Sequence, residues 1–152
     1  MQLTSYTDYS LRLLLYLALQ PKHKLSSVKQ VADIYRISYN HLTKVTHELG
    51  KLGLIETVKG RNGGIRLAKE PEEINIGEVV KQTEDNLELV ECFNCETNTC
   101  ILNPACRLKG VLHEALAAYL RVLEQYTVKD LVLNEDDLRA LLQLKTTENT
   151  RT

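Results

Sequence analysis

Apolar residues recur at helical spacing over the first twenty positions. Leu11, Leu14, Leu15, Ala18 and Leu19 form a stripe, and that period predicts a helix over residues 1–20. Pro21 stops it. Ser26 is placed to cap a second helix over residues 27–36, with Val28, Val31, Ala32 and Tyr35 inward. Ser38 then caps a third helix over residues 39–52, with Leu42, Val45, Leu49 and Leu52 on one face. Only Ile37 separates Arg36 from that cap, so the pair reads as a helix-turn-helix. Residues 54–58 alternate like a strand, residues 59–64 form a glycine-rich turn, and residues 65–67 return as a second strand. The glycines are expected to supply positive φ at the hairpin tip. A helix-turn-helix followed by a hairpin is a winged helix.

The back half is patterned differently. Pro71 opens a connector, and residues 76–83 read as a short helix. Residues 84–105 lack clear periodicity and read as a loop. From 106 to 126 a long helix is expected, with a heptad-like seam of Leu108, Leu112, Ala115, Tyr119, Val122 and Tyr126. Leu116, Leu120 and Leu123 make a second stripe. A helix apolar on two sides packs on its own domain and on a partner, which predicts a homodimer. A last helix is expected over residues 135–144 and a disordered polar tail over 145–152. The fold class is therefore mainly α with a small β hairpin. Residues 1–70 form the winged helix-turn-helix, 71–105 the connector and cysteine loop, and 106–144 the dimerisation and C-terminal helices. No internal repeat is present.

Charge sharpens this division. Net charge over the whole chain is −1. Residues 1–70, however, carry 11 Lys and Arg against 5 Asp and Glu, a balance of +6, while residues 71–152 carry 8 against 15, or −7. A basic front half is suited to a polyanion. No window reaches the roughly 18 uninterrupted apolar residues of a membrane span. Arg12 interrupts the apolar stretch 11–19 and no small-residue cleavage site follows it, so a cytoplasmic chain is expected.

A winged helix places its second motif helix in the major groove. Tyr39, Asn40, Thr43, Lys44 and His47 fall on the outward face of that helix, with Ser38 and His41 at its start. Lys59, Arg61 and Asn62 lie on the hairpin turn. These residue types reach phosphates and base edges. Taken singly, each also fits a solvated polar face. The charge of the half domain and the tight turn favour double-stranded operator DNA.

All four cysteines, Cys92, Cys95, Cys100 and Cys106, lie within fifteen residues. In a reducing compartment such a cluster reads as a metal or redox centre. Thiolates suit zinc or an iron–sulfur cluster. Only Cys92 and Cys95 form a CxxC knuckle, and ferredoxin spacing is absent. By spacing alone, iron–sulfur, zinc and an inert thiol cluster all remain open.

Taken together, the motifs resemble the NsrR-type nitric-oxide-sensing repressors, winged-helix iron–sulfur regulators related to IscR. The resemblance runs to about residue 132. It is carried by residues 3–12 (LTSYTDYSLR), 40–45 (NHLTKV), 60–67 (GRNGGIRL) and 74–80 (INIGEVV), then 90–93 (VECF) and the pair Cys100 and Cys106. It implies a cluster on Cys92, Cys100 and Cys106, with Cys95 an extra thiol and an alternative ligand. It also implies that Asp8, donated by the other subunit, is the fourth ligand. Without the resemblance, Asp8 reads as an i,i+4 ion-pair partner of Arg12 near a helix N-terminus. IscR-type relatives place a histidine three residues after the last cysteine. Lys109 stands there in this chain, so a four-iron cluster (4Fe–4S) is expected rather than a two-iron one (2Fe–2S). His113 reads as a surface or core histidine.

The implied function is a repressor. Nitric oxide reacting at the iron would free the carboxylate, release operator DNA and derepress genes for nitric-oxide detoxification and nitrate or nitrite respiration. The alternatives are a regulator of the same family sensing cluster or iron status, and a zinc-stabilised winged-helix regulator. A redox enzyme is disfavoured, because no nucleotide-binding glycine motif follows a strand and no nucleophile–base pair is evident.

Overall fold

The computed structural model describes residues 1–144; the polar tail lies outside the described residues. Seven α-helices and one two-stranded sheet follow in order: α1 (Ser5–Ala18), α2 (Val28–Tyr35), α3 (Tyr39–Lys51), β1 (Ile55–Val58), β2 (Gly64–Leu67), α4 (Ile76–Thr83), α5 (Arg107–Leu123), α6 (Val128–Leu131) and α7 (Glu135–Leu141). The expected class, mainly α with a β hairpin, is the class observed.

Local chemistry sets most of the boundaries. Thr4 caps α1 by accepting the Thr7 N–H, so the helix starts at Ser5 rather than Met1 and ends at Ala18, ahead of Pro21. Ser27, not Ser26, caps α2, accepting from the Gln30 N–H. Ser26 is withdrawn from that role because its backbone pairs in both directions with Ile65, at 2.8 and 2.9 Å, as an isolated antiparallel bridge beside the hairpin. Arg36 closes α2 in the left-handed conformation, φ 56°, and thereby turns the chain toward Ser38. That serine caps α3 through the His41 N–H at 3.0 Å.

In the wing, Glu56 pairs with Arg66 across the strands and Val58 faces Gly64. Gly60 carries the positive φ expected of the tip, 108°. Gly64 is required for another reason: a Cβ there would lie 2.6 Å from the Ser26 carbonyl oxygen.

One continuous core joins both halves of the chain. Leu13, Leu14 and Leu17 of α1 pack with Val31, Leu42, Val45 and Leu49, and with the wing's Ile55 and Ile65. Ile74, Val79 and Val128 complete the same cluster. Short α6 was not anticipated; a Thr127–Asp130 capping box starts it. Buried Arg139 of α7 donates to the Leu19 carbonyl at the end of α1 and pairs with Glu135. The expected last helix is shorter than 135–144, ending at Leu141.

Helix α5 meets this core at its C-terminal end, where Leu123 packs against it. It begins at Arg107, with Cys106 as its N-cap residue, and ends at Leu123 rather than Tyr126. None of its residues is fully buried in the single chain. Its C-terminal end is held by Asn75, whose side chain caps α4 and also donates to the Glu124 carbonyl at 2.7 Å. Leu108, Val111, Val122 and Tyr126 are exposed. The expected seam is therefore split: Leu112 and Tyr119 turn toward the chain's own N-terminus, while Leu108, Ala115 and Val122 face outward.

Candidate nucleic-acid interface and cysteine loop

Helix α3 presents the polar face that its sequence predicts. Leu42, Val45 and Leu49 are buried, which leaves Tyr39, Asn40, Thr43, Lys44 and His47 exposed. The Thr43 hydroxyl donates to the Tyr39 carbonyl at 2.8 Å. Lys59, Arg61 and Asn62 are exposed on the wing turn. Two of the expected DNA contacts have structural work as well. Ser38 spends its hydroxyl on the cap, and His41 is half-buried, its ring edge-on to Tyr9 at 4.8 Å between centroids.

Tyr9 connects α3 to α1. The Arg12 guanidinium lies over the Tyr9 ring, 5.7 Å from its centroid. The same guanidinium holds Asp8 through two hydrogen bonds, 3.0 and 2.7 Å. Thus Asp8, in the single chain, adopts the ion pair that its i,i+4 spacing allows. The Arg12 carbonyl in turn accepts from the Tyr35 hydroxyl at 2.9 Å. Burial pushes the Tyr35 phenol up to about 12, against the opposing pull of Arg12, so it stays a donor. Asp8, Arg12, Tyr9 and His41 therefore form a contiguous path from the start of α1 to the start of α3.

The start of α1 is anchored as well. The Thr4 N–H and hydroxyl both donate to Glu84, at 2.8 and 3.0 Å, and Thr7 meets Thr83 at 2.9 Å. This ties the Asp8 end of the helix to the connector just ahead of the cysteines.

Residues 84–105 are not uniformly irregular as expected: they contain 3-10 turns at Glu91–Phe93 and Asn103–Ala105. Cys92, Cys100 and Cys106 are half-buried, Cys95 is exposed, and all four are free thiols. Among the described residues no three His, Cys, Asp or Glu side chains are gathered tightly enough to hold a metal ion. The donor chemistry nonetheless fits an iron–sulfur cluster. Three sheltered soft thiols share one loop, and that loop ends at the N-terminus of a long helix, where negative charge is favoured. His113 is exposed, one of the two settings expected of it. Its ring stacks flat on Phe93, 3.9 Å between centroids and 2° between planes.

The sequence matches a family described as iron-dependent transcriptional regulators, Rrf2, over residues 3–134. The chain belongs to the Rrf2 family. It is 97% identical over 148 residues to the HTH-type transcriptional regulator NsrR of Shouchella clausii, covering 97% of this chain and 99% of that one. Against the HTH-type transcriptional regulator NsrR of Bacillus subtilis the identity is 56% over 145 residues, covering 95% and 99%. The solved structure of T. potens IscR shares the fold, with TM-score 0.72 at 22% identity and 91% coverage of each chain. This Rrf2 member is a DNA-binding transcriptional regulator of the winged-helix type and not an enzyme. Among its described residues no helix is long and apolar enough to cross a membrane.

Sequence reasoning missed the Tyr9–His41 edge contact and the Tyr35 tie to Arg12. Both join residues far apart in the chain, so no local spacing signals them. The Thr4–Glu84 anchor is of the same kind.

Proposed function

We propose that this Rrf2 chain is a cytoplasmic, nitric-oxide-responsive repressor that binds operator DNA as a homodimer. Cys92, Cys100 and Cys106 hold a four-iron cluster, and Asp8 of the partner subunit is its fourth ligand. When bound, the cluster supplies iron that reacts with nitric oxide. The relatives' shared name and the resemblance drawn from the motifs support the signal. Lys109 supports four irons over two: its ammonium has no lone pair to offer and donates to Asn103 at 3.2 Å.

The observation that carries the reading is the path from Asp8 to His41. Asp8 has two alternatives, Arg12 in its own helix or the thiol loop of a second copy. With Asp8 engaged across the dimer, Arg12 loses its carboxylate and keeps only the Tyr9 face. Tyr9 bears on His41, so the first turn of α3 feels the exchange. With Asp8 returned to Arg12, the two reading heads lose the link that sets their spacing, and fewer phosphate and base contacts form together. A coupling of about 3 kcal/mol suffices for a hundredfold change in affinity.

The dimer is supported by α5. A seventeen-residue helix with no buried residue is marginal on its own. Its exposed apolar stripe is suited to the same stripe of a second copy, as closed twofold assemblies require. Tyr39, Asn40, Thr43, Lys44 and His47 would then enter the major groove, with Ser38 and His41 at its edge. Lys59, Arg61 and Asn62 would lie on the backbone or in the minor groove.

An anaerobic gel shift with iron and sulfide analysis tests this. Loaded protein should bind its operator and lose about a hundredfold in affinity after nitric oxide. Operator binding that survives destruction of the cluster overturns the reading. If Asp8→Ala leaves the spectrum and the response intact, Cys95 replaces Asp8 as the fourth ligand.

A further inference from the structure

We infer that Lys109 and His113 form a two-point clamp that holds both arms of the cysteine loop on one face of α5 before metal arrives, making them positioning residues for the thiols. The inference rests on the reading of Cys92, Cys100 and Cys106 as cluster ligands.

The two residues are spaced i,i+4 and so lie one turn apart on the same face of α5. Each takes a different arm. His113 stacks on Phe93, the residue after Cys92. Lys109 donates to the Asn103 side chain, midway between Cys100 and Cys106. Both contacts are chemically specific: a flat ring-on-ring stack and a charge-assisted hydrogen bond.

The loop has little else to hold its arms together. No residue from 84 to 107 is fully buried, so no apolar core organises it. Within each arm local turns operate: Asn94 and Asn98 side chains accept from the N–H groups of Glu96 and Cys100, and the Asn103 N–H reaches the Cys100 carbonyl. These shape each arm without tying it to the other. Between the arms run one backbone bond, from the Asn98 N–H to the Asn94 carbonyl at 3.1 Å, and a Thr99 hydroxyl that reaches the Glu91 carboxylate at 3.5 Å, the limit of a hydrogen bond. Neither of these fixes the loop to the helix; Lys109 and His113 do, one arm each. Anchoring both arms on a rigid helix shrinks the set of loop conformations from which three thiols must converge, which lowers the entropy cost of ligation. Lys109 occupies the position where IscR-type relatives carry a histidine, and here its role is mechanical.

The test is alkylation of metal-free protein by iodoacetamide, read thiol by thiol by mass spectrometry. Wild type should label fastest at Cys95, the exposed thiol. In Lys109→Ala and His113→Ala, labelling of Cys92, Cys100 and Cys106 should rise about three- to tenfold, and further in the double variant, while Cys95 stays constant. His113→Phe keeps a flat ring and should restore protection of Cys92; Lys109→Arg keeps a donor and should restore that of Cys100 and Cys106. After anaerobic reconstitution, iron release to a chelator should accelerate in the same order.

Unchanged labelling of the three thiols in a double variant with native circular dichroism overturns the clamp, as does a failure of His113→Phe to rescue. Labelling needs no metal. An iron-free reconstituted wild type would therefore sink the cluster reading separately, without touching the result for the clamp.

Discussion

Arg12 grips Asp8 with two parallel hydrogen bonds, Nε to Oδ1 at 3.0 Å and Nη2 to Oδ2 at 2.7 Å. Both side chains remain substantially exposed, 46% and 44%. An ion pair in that setting contributes about 0–1 kcal/mol, because water already solvates both charges. Asp8 can therefore leave Arg12 at small cost, as the proposed exchange between two sites requires.

Asp8→Ala separates stability from ligation. Metal-free protein should lose less than about 1 kcal/mol in urea unfolding. Reconstituted protein should show an altered cluster spectrum and weaker operator binding. A variant that unfolds the metal-free chain would assign Asp8 a structural role; one with unchanged spectrum and affinity would remove it from the centre.

The salt dependence of operator binding sorts the reading head. Lys44, Lys59 and Arg61 are exposed and form no ion pair among the described residues, so their charges are available to phosphates. Replacing any one of them with Ala should reduce the slope of log K against log salt by about 0.9 if it neutralises one phosphate. Asn40→Ala should leave the slope unchanged and weaken discrimination between operator variants, because an amide reads base edges rather than charge. A slope unmoved by all three basic substitutions would take wing and helix away from the DNA backbone.

Local signals made the reading head legible. Ser38 capping α3, and Leu42, Val45 and Leu49 facing inward, follow from one helix and its first turn. The choice between Ser26 and Ser27 was not local, since either hydroxyl suits a cap. Pairing of Ser26 with Ile65, thirty-nine residues further on, decides it. The split of the α5 seam depends on where Met1–Thr4 and residues 84–90 lie, which periodicity does not record. The cysteine spacing showed a soft-ligand loop. The partners of Phe93 and Asn103 on α5 became visible only once that loop was folded back on the helix.

Gly77 shows how closely α4 approaches the end of α5. A Cβ there would lie 2.8 Å from the backbone nitrogen of Glu124 and would also clash with the Glu124 side chain. Backbone yields less readily than a flexible side chain, so Gly77→Ala should destabilise the chain by about 1–3 kcal/mol. Gly110 is the control: on α5, with nothing within 4 Å of its added Cβ. Chemical unfolding of both variants checks the contrast, and a Gly77→Ala protein as stable as wild type would mean that α5 is free to shift.

The anchor between Glu84 and Thr4 should be sensitive to acid. Burial works to raise the Glu84 carboxyl, but hydrogen bonds from Thr7 and Thr4 outweigh it and hold the group below its ordinary value of 4.5. A carboxyl depressed in the folded state adds stability above its unfolded pKa and loses it as pH falls through the folded one. Glu84→Gln should therefore be less stable than wild type near pH 7, by no more than about 1 kcal/mol at so solvated a site. The two proteins should converge in urea unfolding as pH drops below about 4. A gap that persists or widens in acid would mean that the charge of Glu84 does not fasten the start of α1 to the connector, and that the Thr7–Thr83 hydroxyl contact carries the anchor instead.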